Sequence, residues 1–188
     1  TCTLIEARSL TAESVPQALR AAADDLPLRI LYLAGLDRST AACGDAETLT
    51  GDALVSCQGL VDVVKCANEI PRSADTRIWV VTRGVHQIDA QNGRTAEPQL
   101  AFSTLWGLGR TRSTGHPDLF GGLIDLAPGS EERETEDLLC LVTERRDQMA
   151  LRGGEIHVPR IYPLLGDAGR RLEPADIKAD GSDALISV

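Results

Sequence analysis

The chain has 188 residues, 43% of them hydrophobic and 25% charged, with a net charge of −9. That length suffices for one domain with its own core, and the composition is that of a soluble globular protein. The acidic balance speaks against nucleic acid, whose phosphates need clustered Lys and Arg, and against an anionic membrane surface, and no apolar run approaches the roughly 20 residues that span a bilayer.

In chain order, Thr3–Ala7 (TLIEA) is a strand candidate and Ser14–Ala22 (SVPQALRAA) a helical one. Leu28–Asp37 (LRILYLAGLD) is a continuous apolar run ended by Gly and Asp, the pattern of a strand buried on both faces. Residues 38–50 are small and polar and read as a loop. From Gly51, apolar residues at Ala53, Leu54, Cys57, Leu60, Val61, Val64 and Ala67 follow helical spacing, with Thr50 as cap and Pro71 as stop. Gly59 interrupts that helix at a cost of about 1 kcal/mol relative to Ala, which close packing on a neighbour would explain.

Thr76–Gly84 (TRIWVVTRG) is a second buried strand, and a helix is expected from near Pro98 to Gly115. Gly121–Ala127 (GGLIDLA) is a third strand. Residues 130–147 predict a helix with acids at its start and arginines at its end, which suits the helix dipole. The alternation around Gly153-Gly154 predicts a hairpin. Strands alternating with helices give an α/β fold with a mainly parallel sheet. Residues 166–183 read as a polar linker, and 184–188 as the first strand of a following domain. A start without Met suggests an excised piece or trimmed termini.

The stretch Leu105–Arg112 (LWGLGRTR) superficially resembles a nucleotide loop. A dinucleotide fingerprint needs G-x-G-x-x-G between a strand and a helix. Here Arg112 stands where the third glycine belongs, and the preceding QLAFSTLW is helical in period. Gly107 and Gly109 therefore belong inside a helix, where a missing side chain permits close packing, and Trp106 and Leu108 are expected to hold that helix to the sheet. Neither tyrosine has a lysine four residues on: Tyr32 is followed by Leu36 and Tyr162 by Gly166. There is no G-x-S-x-G nucleophile motif. Acidic pairs such as Asp24-Asp25 and Glu131-Glu132 read as solvated or capping carboxylates. Cys2, Cys43, Cys57, Cys66 and Cys140 contain no C-x-x-C and read as reduced, mostly buried small hydrophobes of a cytoplasmic protein. His86, His116 and His157 are scattered singly. The residues thus nominate no catalytic, cofactor-binding or metal-ligating position.

Three motifs occur in order: IWVVTRG from Ile78, LWGLGRTRSTGHPDLFGGLIDL from Leu105 and DQMALRGGEIHVPRIYPL from Asp147. Together they resemble the ketoreductase region of modular type I polyketide synthases, specifically its N-terminal structural subdomain. The resemblance covers residues 1–165. It implies a truncated Rossmann-like fold of the short-chain dehydrogenase/reductase type that carries no active position. NADPH and the Ser-Tyr-Lys machinery would belong to a catalytic half in the same polypeptide. That half is the implied partner, and an inserted enoylreductase is a second one that the junction allows. The implied role is mechanical: to stabilise the catalytic half and link it to its neighbours, with the C-terminal hairpin as candidate contact. Two other readings are a freestanding Rossmann-like interaction module and a nicotinamide-dependent reductase in its own right.

Overall fold

The computed structural model describes residues 28–36, 45–69, 75–88, 99–129, 132–143 and 147–160, preceded by Gln17, Leu19 and Ala21. The strand expected at Thr3–Ala7, the linker at 166–183 and the strand start at 184–188 lie outside the described residues. Of the helix expected at Ser14–Ala22, the three described residues are helical, and Leu19 is buried in the core.

The described elements alternate as expected: β1 (Arg29–Gly35), α1 (Ala46–Glu69), β2 (Arg77–Arg83), α2 (Leu100–Gly115), β3 (Phe120–Leu126), α3 (Glu134–Leu141), β4 (Gln148–Arg152) and β5 (Glu155–His157). The strands form one sheet in the order β1-β2-β3-β4-β5. The first four are parallel neighbours and β5 is antiparallel to β4. Gly153 and Gly154 both have positive φ, 56° and 78°, which is what the two central residues of a type I′ hairpin turn require.

Strand alternation sorts the core into two layers. Ile78 and Val80 of β2 and Leu123 of β3 point to the front face, where α1 and α2 cover them with Leu60, Val64, Phe102, Leu105 and Trp106. Trp79, Val81, Ile124 and Leu126 point to the back face, against Leu138 and Leu141 of α3 and Met149 and Leu151 of β4. Strand order advances in one direction throughout, yet the first two crossover helices lie in front and the third behind. The third crossover therefore has the opposite hand to the first two, a departure from the strong right-handed rule for parallel connections.

Two helices differ from expectation at their ends. α1 begins at Ala46, inside the expected loop, because Asp45 and not Thr50 caps it: Asp45 Oδ1 accepts the Thr48 amide at 2.8 Å. That hydrogen bond holds the Asp45 carboxyl below its ordinary pKa. Thr50 sits within the helix and bonds back to the Ala46 carbonyl at 2.7 Å. α3 has the acidic first turn, with Glu134, Glu136 and Asp137, but spans only eight residues and has no basic residue in its last turn. Arg145 and Arg146 lie outside the described residues.

The helix glycines divide by neighbour. A Cβ at Gly59 would stand 2.5 Å from the Tyr32 hydroxyl, which donates to the Ser56 carbonyl at 2.6 Å. Gly59 is the gap that admits this β1-to-α1 bond. A Cβ at Gly109 would collide with Leu123 of β3, whereas a Cβ at Gly107 would have nothing within 4 Å. Of these two α2 glycines, only Gly109 serves close approach to the sheet. Likewise Trp106 is buried but Leu108 only half-buried; the fully buried leucine of α2 is Leu105.

Leu105→Ala is expected to cost ~2–5 kcal/mol in denaturant titration, and Leu108→Ala distinctly less. Gly109→Ala should destabilise the domain. Gly107→Ala should stabilise it, by up to about 1 kcal/mol, because it adds helix propensity at an open position.

Candidate functional site

In parallel α/β sheets, ligands bind beyond the carboxyl ends of the strands, at the point where strand order reverses. At that end of this sheet the polar side chains converge on Asp125. It is the penultimate residue of the apolar strand β3 and is wholly inaccessible. An isolated carboxylate there would be prohibitively costly unless paired and hydrogen-bonded.

Each oxygen of Asp125 accepts two hydrogen bonds. Oδ1 receives the Thr82 hydroxyl at 2.8 Å and the Val85 amide at 3.0 Å. Oδ2 receives the His86 amide at 3.0 Å and the Arg152 guanidinium at 2.6 Å. Arg152, at the end of β4, also donates to the Asp125 carbonyl at 2.8 Å and the His86 carbonyl at 2.9 Å. One guanidinium thus ties β4, β3 and the chain after β2 together. The indole N–H of Trp106 donates to the Thr82 oxygen at 2.9 Å, which joins α2 to the same network.

The His86 ring stands edge-on to the Trp106 ring, with centroids 4.1 Å apart. Arg110 lies 5.8 Å from the Trp106 ring centroid and donates to Gln148 at 3.1 Å. Burial is the main influence on His86, and it lowers the imidazole pKa; Arg110 and Arg152 add to that, while the Asp125 carboxylate opposes it. Beside this cluster, Arg83 makes a two-pronged pair with Glu134 at 2.7 and 2.5 Å and donates to the carbonyls of Ala127 and Gly129. The β3–α3 connection is thereby held to β2.

The chemistry of this arrangement is that of a clamp. A carboxylate offers about four acceptor positions, and those of Asp125 are filled by its own chain. The strand order β1-β2-β3-β4-β5 contains no reversal of the kind that marks the dinucleotide site. Residues 84–88 are instead drawn down onto the strand ends: the Gly84 carbonyl accepts the Gln99 amide, and the Gly84 amide donates to the Leu126 carbonyl. Among the described residues no group of three His, Cys, Asp or Glu side chains is placed to hold a metal ion.

Gly107 and Gly109 lie well inside α2, not at a strand-to-helix turn. Tyr32 is buried with its hydroxyl engaged; Tyr162 is outside the described residues. Cys57 meets Thr104 across the α1–α2 seam at 3.5 Å, Cys66 is buried and Cys140 is exposed, which departs from the expected burial. The Asp125 network is not legible in the sequence. An Asp inside the run GGLIDLA is its one local signal, and sequence spacing alone does not bring His86 and Arg152 to it.

Residues 6–161 match the family described as the Rossmann fold domain of the polyketide synthase extender module SpnB. The chain belongs to this family. Such domains lie in the ketoreductase region of polyketide synthase modules. The chain is 28% identical over 144 residues to a phenolphthiocerol/phthiocerol polyketide synthase subunit of Mycobacterium tuberculosis, covering 76% of this chain and 7% of that protein. It is 32% identical over 126 residues to 5-methyl-1-naphthoate synthase of Streptomyces sahachiroi, covering 66% and 7%. The first ketoreductase of the tylosin polyketide synthase superposes with a TM-score of 0.52 at 25% identity, over 77% of this chain and 28% of that one. A C2-type ketoreductase from a modular polyketide synthase gives 0.53 at 24%, over 81% and 31%, a likeness of fold. The chain therefore spans about 7% of the length of these curated relatives and less than a third of these ketoreductases. None of the described helices of this Rossmann domain is long and apolar enough to cross a membrane.

Asp125→Asn leaves Arg152 buried against a neutral amide and is expected to cost about 3–5 kcal/mol, read from the urea midpoint. His86 gives a second test. The unfolded chain takes a proton on this residue near pH 6.5, whereas the folded chain resists it to lower pH. Stability should therefore hold above about pH 6.5 and decline below it. His86→Asn should flatten that decline; an unchanged acid slope in urea titrations would show that His86 does not cause it.

Proposed function

We propose that this domain is the structural, non-catalytic half of a ketoreductase region, and that it stabilises the NADPH-dependent catalytic half by offering it the outer face of α1 and α2. The observation that carries this reading is the apolar surface which that helix pair leaves uncovered. Leu54 and Val55 of α1 and Leu100 of α2 are exposed by 67, 74 and 61%. Both helices follow parallel strands, so they run in the same direction. The Cys57–Thr104 contact sets their register and puts Leu54 and Leu100, each about one turn earlier, at the same level.

The apolar stripe read from the sequence of α1 is wider than the sheet uses. Leu60, Val64 and Ala67 are buried, while Leu54 is left outside. Gly107 and Gly51 are exposed helix glycines, and a Cβ at either would meet nothing within 4 Å. Each costs helix stability without an internal return, which is understandable where another backbone must come close. The hairpin is the weaker candidate contact, since β5 has three residues and offers Ile156 as its exposed large hydrophobe. The saturated Asp125 carboxylate, the engaged Tyr32 hydroxyl and the helical GLGRTR support a role without cofactor or proton transfer.

Isothermal titration of the isolated chain with NADPH is expected to give no heat, and micromolar affinity would overturn the non-catalytic reading. Co-expression with a separately expressed catalytic half of the same module should raise that half's soluble yield and reductase rate. Val55→Asp and Gly107→Ala should remove the benefit although the second stabilises the chain itself, and Ile156→Asp should leave it intact. An equally soluble and active catalytic half without this chain would sink the scaffold role.

A further inference from the structure

The outer face of α1 and α2 is complementary to itself. Along α1, Glu47, Leu54 and Lys65 follow at intervals of seven and eleven residues, which return a helix to the same side. That side points away from the sheet: Glu47 is exposed, Leu54 is exposed by 67%, and the Lys65 side chain by 63%. The stripe thus has an acid toward its start, apolar surface in its middle and a base toward its end. Read in the opposite direction it becomes base, apolar, acid. A second copy running antiparallel therefore meets each feature with its complement, as an isologous interface requires.

One register satisfies both helices. A two-fold axis crossing α1 at the level of residue 56 sets Glu47 of each copy opposite Lys65 of the other, because both lie nine residues from that level. Asp62 stands 3.9 Å from Lys65 in its own chain, so the ammonium then lies between two carboxylates. Val55 and Leu54 come beside their counterparts at the axis. The Cys57–Thr104 contact carries the same level across to α2, where it falls at Ser103. Leu100 precedes that point by three residues and Gly107 follows it by four. Leu100 of each copy is thereby brought to within one residue of the level of Gly107 in the other, about 1.5 Å along the helix. A Cβ at Gly107 would meet nothing within 4 Å, so an open notch receives a leucine that is 61% exposed. The charge pair alone sets the register, and the leucine and the glycine then match without adjustment.

The helices have 24 and 16 residues. At about 1.5 Å per residue and about 10 Å of width each, they offer a face of about 600 Å². That is the lower end of what one partner contributes to a specific interface.

We propose that two copies of this chain pair through α1 and α2 as an antiparallel, two-fold symmetric four-helix layer. Leu54 and Val55 form its centre, Leu100 seats on Gly107, and Glu47–Lys65 pairs close its ends. The small face makes this a weak, micromolar association. The pairing does not rest on the docking of a catalytic half, but it uses the same surface. The two occupants exclude each other, and the second copy has to leave before a catalytic half can dock.

Sedimentation velocity of the 188-residue chain from about 1 to 500 μM tests the pairing. The weight-average mass should rise with concentration from 20.1 kDa toward twice that value. Glu47→Lys and Lys65→Glu should each raise the dissociation constant at least about fivefold at low salt. The chain carrying both should regain the parent affinity, since the pair is rebuilt with its signs exchanged. Leu100→Asp, at an exposed position, should keep the fold and leave the chain monomeric. A parent chain that stays at 20.1 kDa throughout, or a dimer indifferent to both charge reversals, would overturn the pairing. A monomeric chain that still rescues a catalytic half would sink this inference and leave the docking reading standing.

Discussion

A carboxylate with no solvent access decides how the carboxyl end of this sheet is built. Asp125 is tolerable inside β3 only because four donors from three other segments arrive at it. Those donors fix their surroundings. The amides of Val85 and His86 pin the chain as it leaves β2, Arg152 secures the end of β4, and Thr82 passes the constraint on to Trp106 and so to α2. The same hydrogen bonds fill the acceptor positions of this carboxylate from within the chain.

The two faces of the sheet are covered unequally. In front, a helix of 24 residues and another of 16 lie side by side and carry more apolar surface than the strands bury. Behind, the described cover is one helix of eight residues. This asymmetry follows from the third crossover, which returns behind the sheet while the first two return in front. It also accounts for the two kinds of surface left over: an exposed helix pair in front, and a half-covered strip of strand leucines behind.

Much of this fold is legible in the sequence. The apolar runs at 29–35, 77–83 and 120–126 are unmistakable as strands; the second and third are buried on both faces, whereas in the first only Tyr32 and Gly35 are buried, against the expectation of cover on both sides. The Gly153-Gly154 turn is equally clear, since few residues tolerate two successive positive φ values. Helix limits are less legible. Asp45 lies in a polar stretch where several residues could cap, and only geometry distinguishes it from Thr50. Helical spacing names Leu54 as inward-facing because hydropathy records what a residue prefers, not whether a partner is supplied by the same domain. The Asp125 cluster is hidden for another reason: its members come from positions 82, 86, 106, 125 and 152, and no local pattern encodes their meeting.

The strand order has a consequence for synthesis. Each described strand pairs with the one made immediately before it, so every pairing becomes available as soon as the next strand is complete. A sheet that must later insert a strand between earlier ones, or add one back at its first edge, has to hold open surface until distant residues arrive. Here the loops to be closed stay short in sequence, which lowers the entropic cost of each step. The relatives of this domain are chains in which it occupies about 7% of the length. In such a chain, assembly in the order of emergence lets the sheet form strand by strand as its own residues are made.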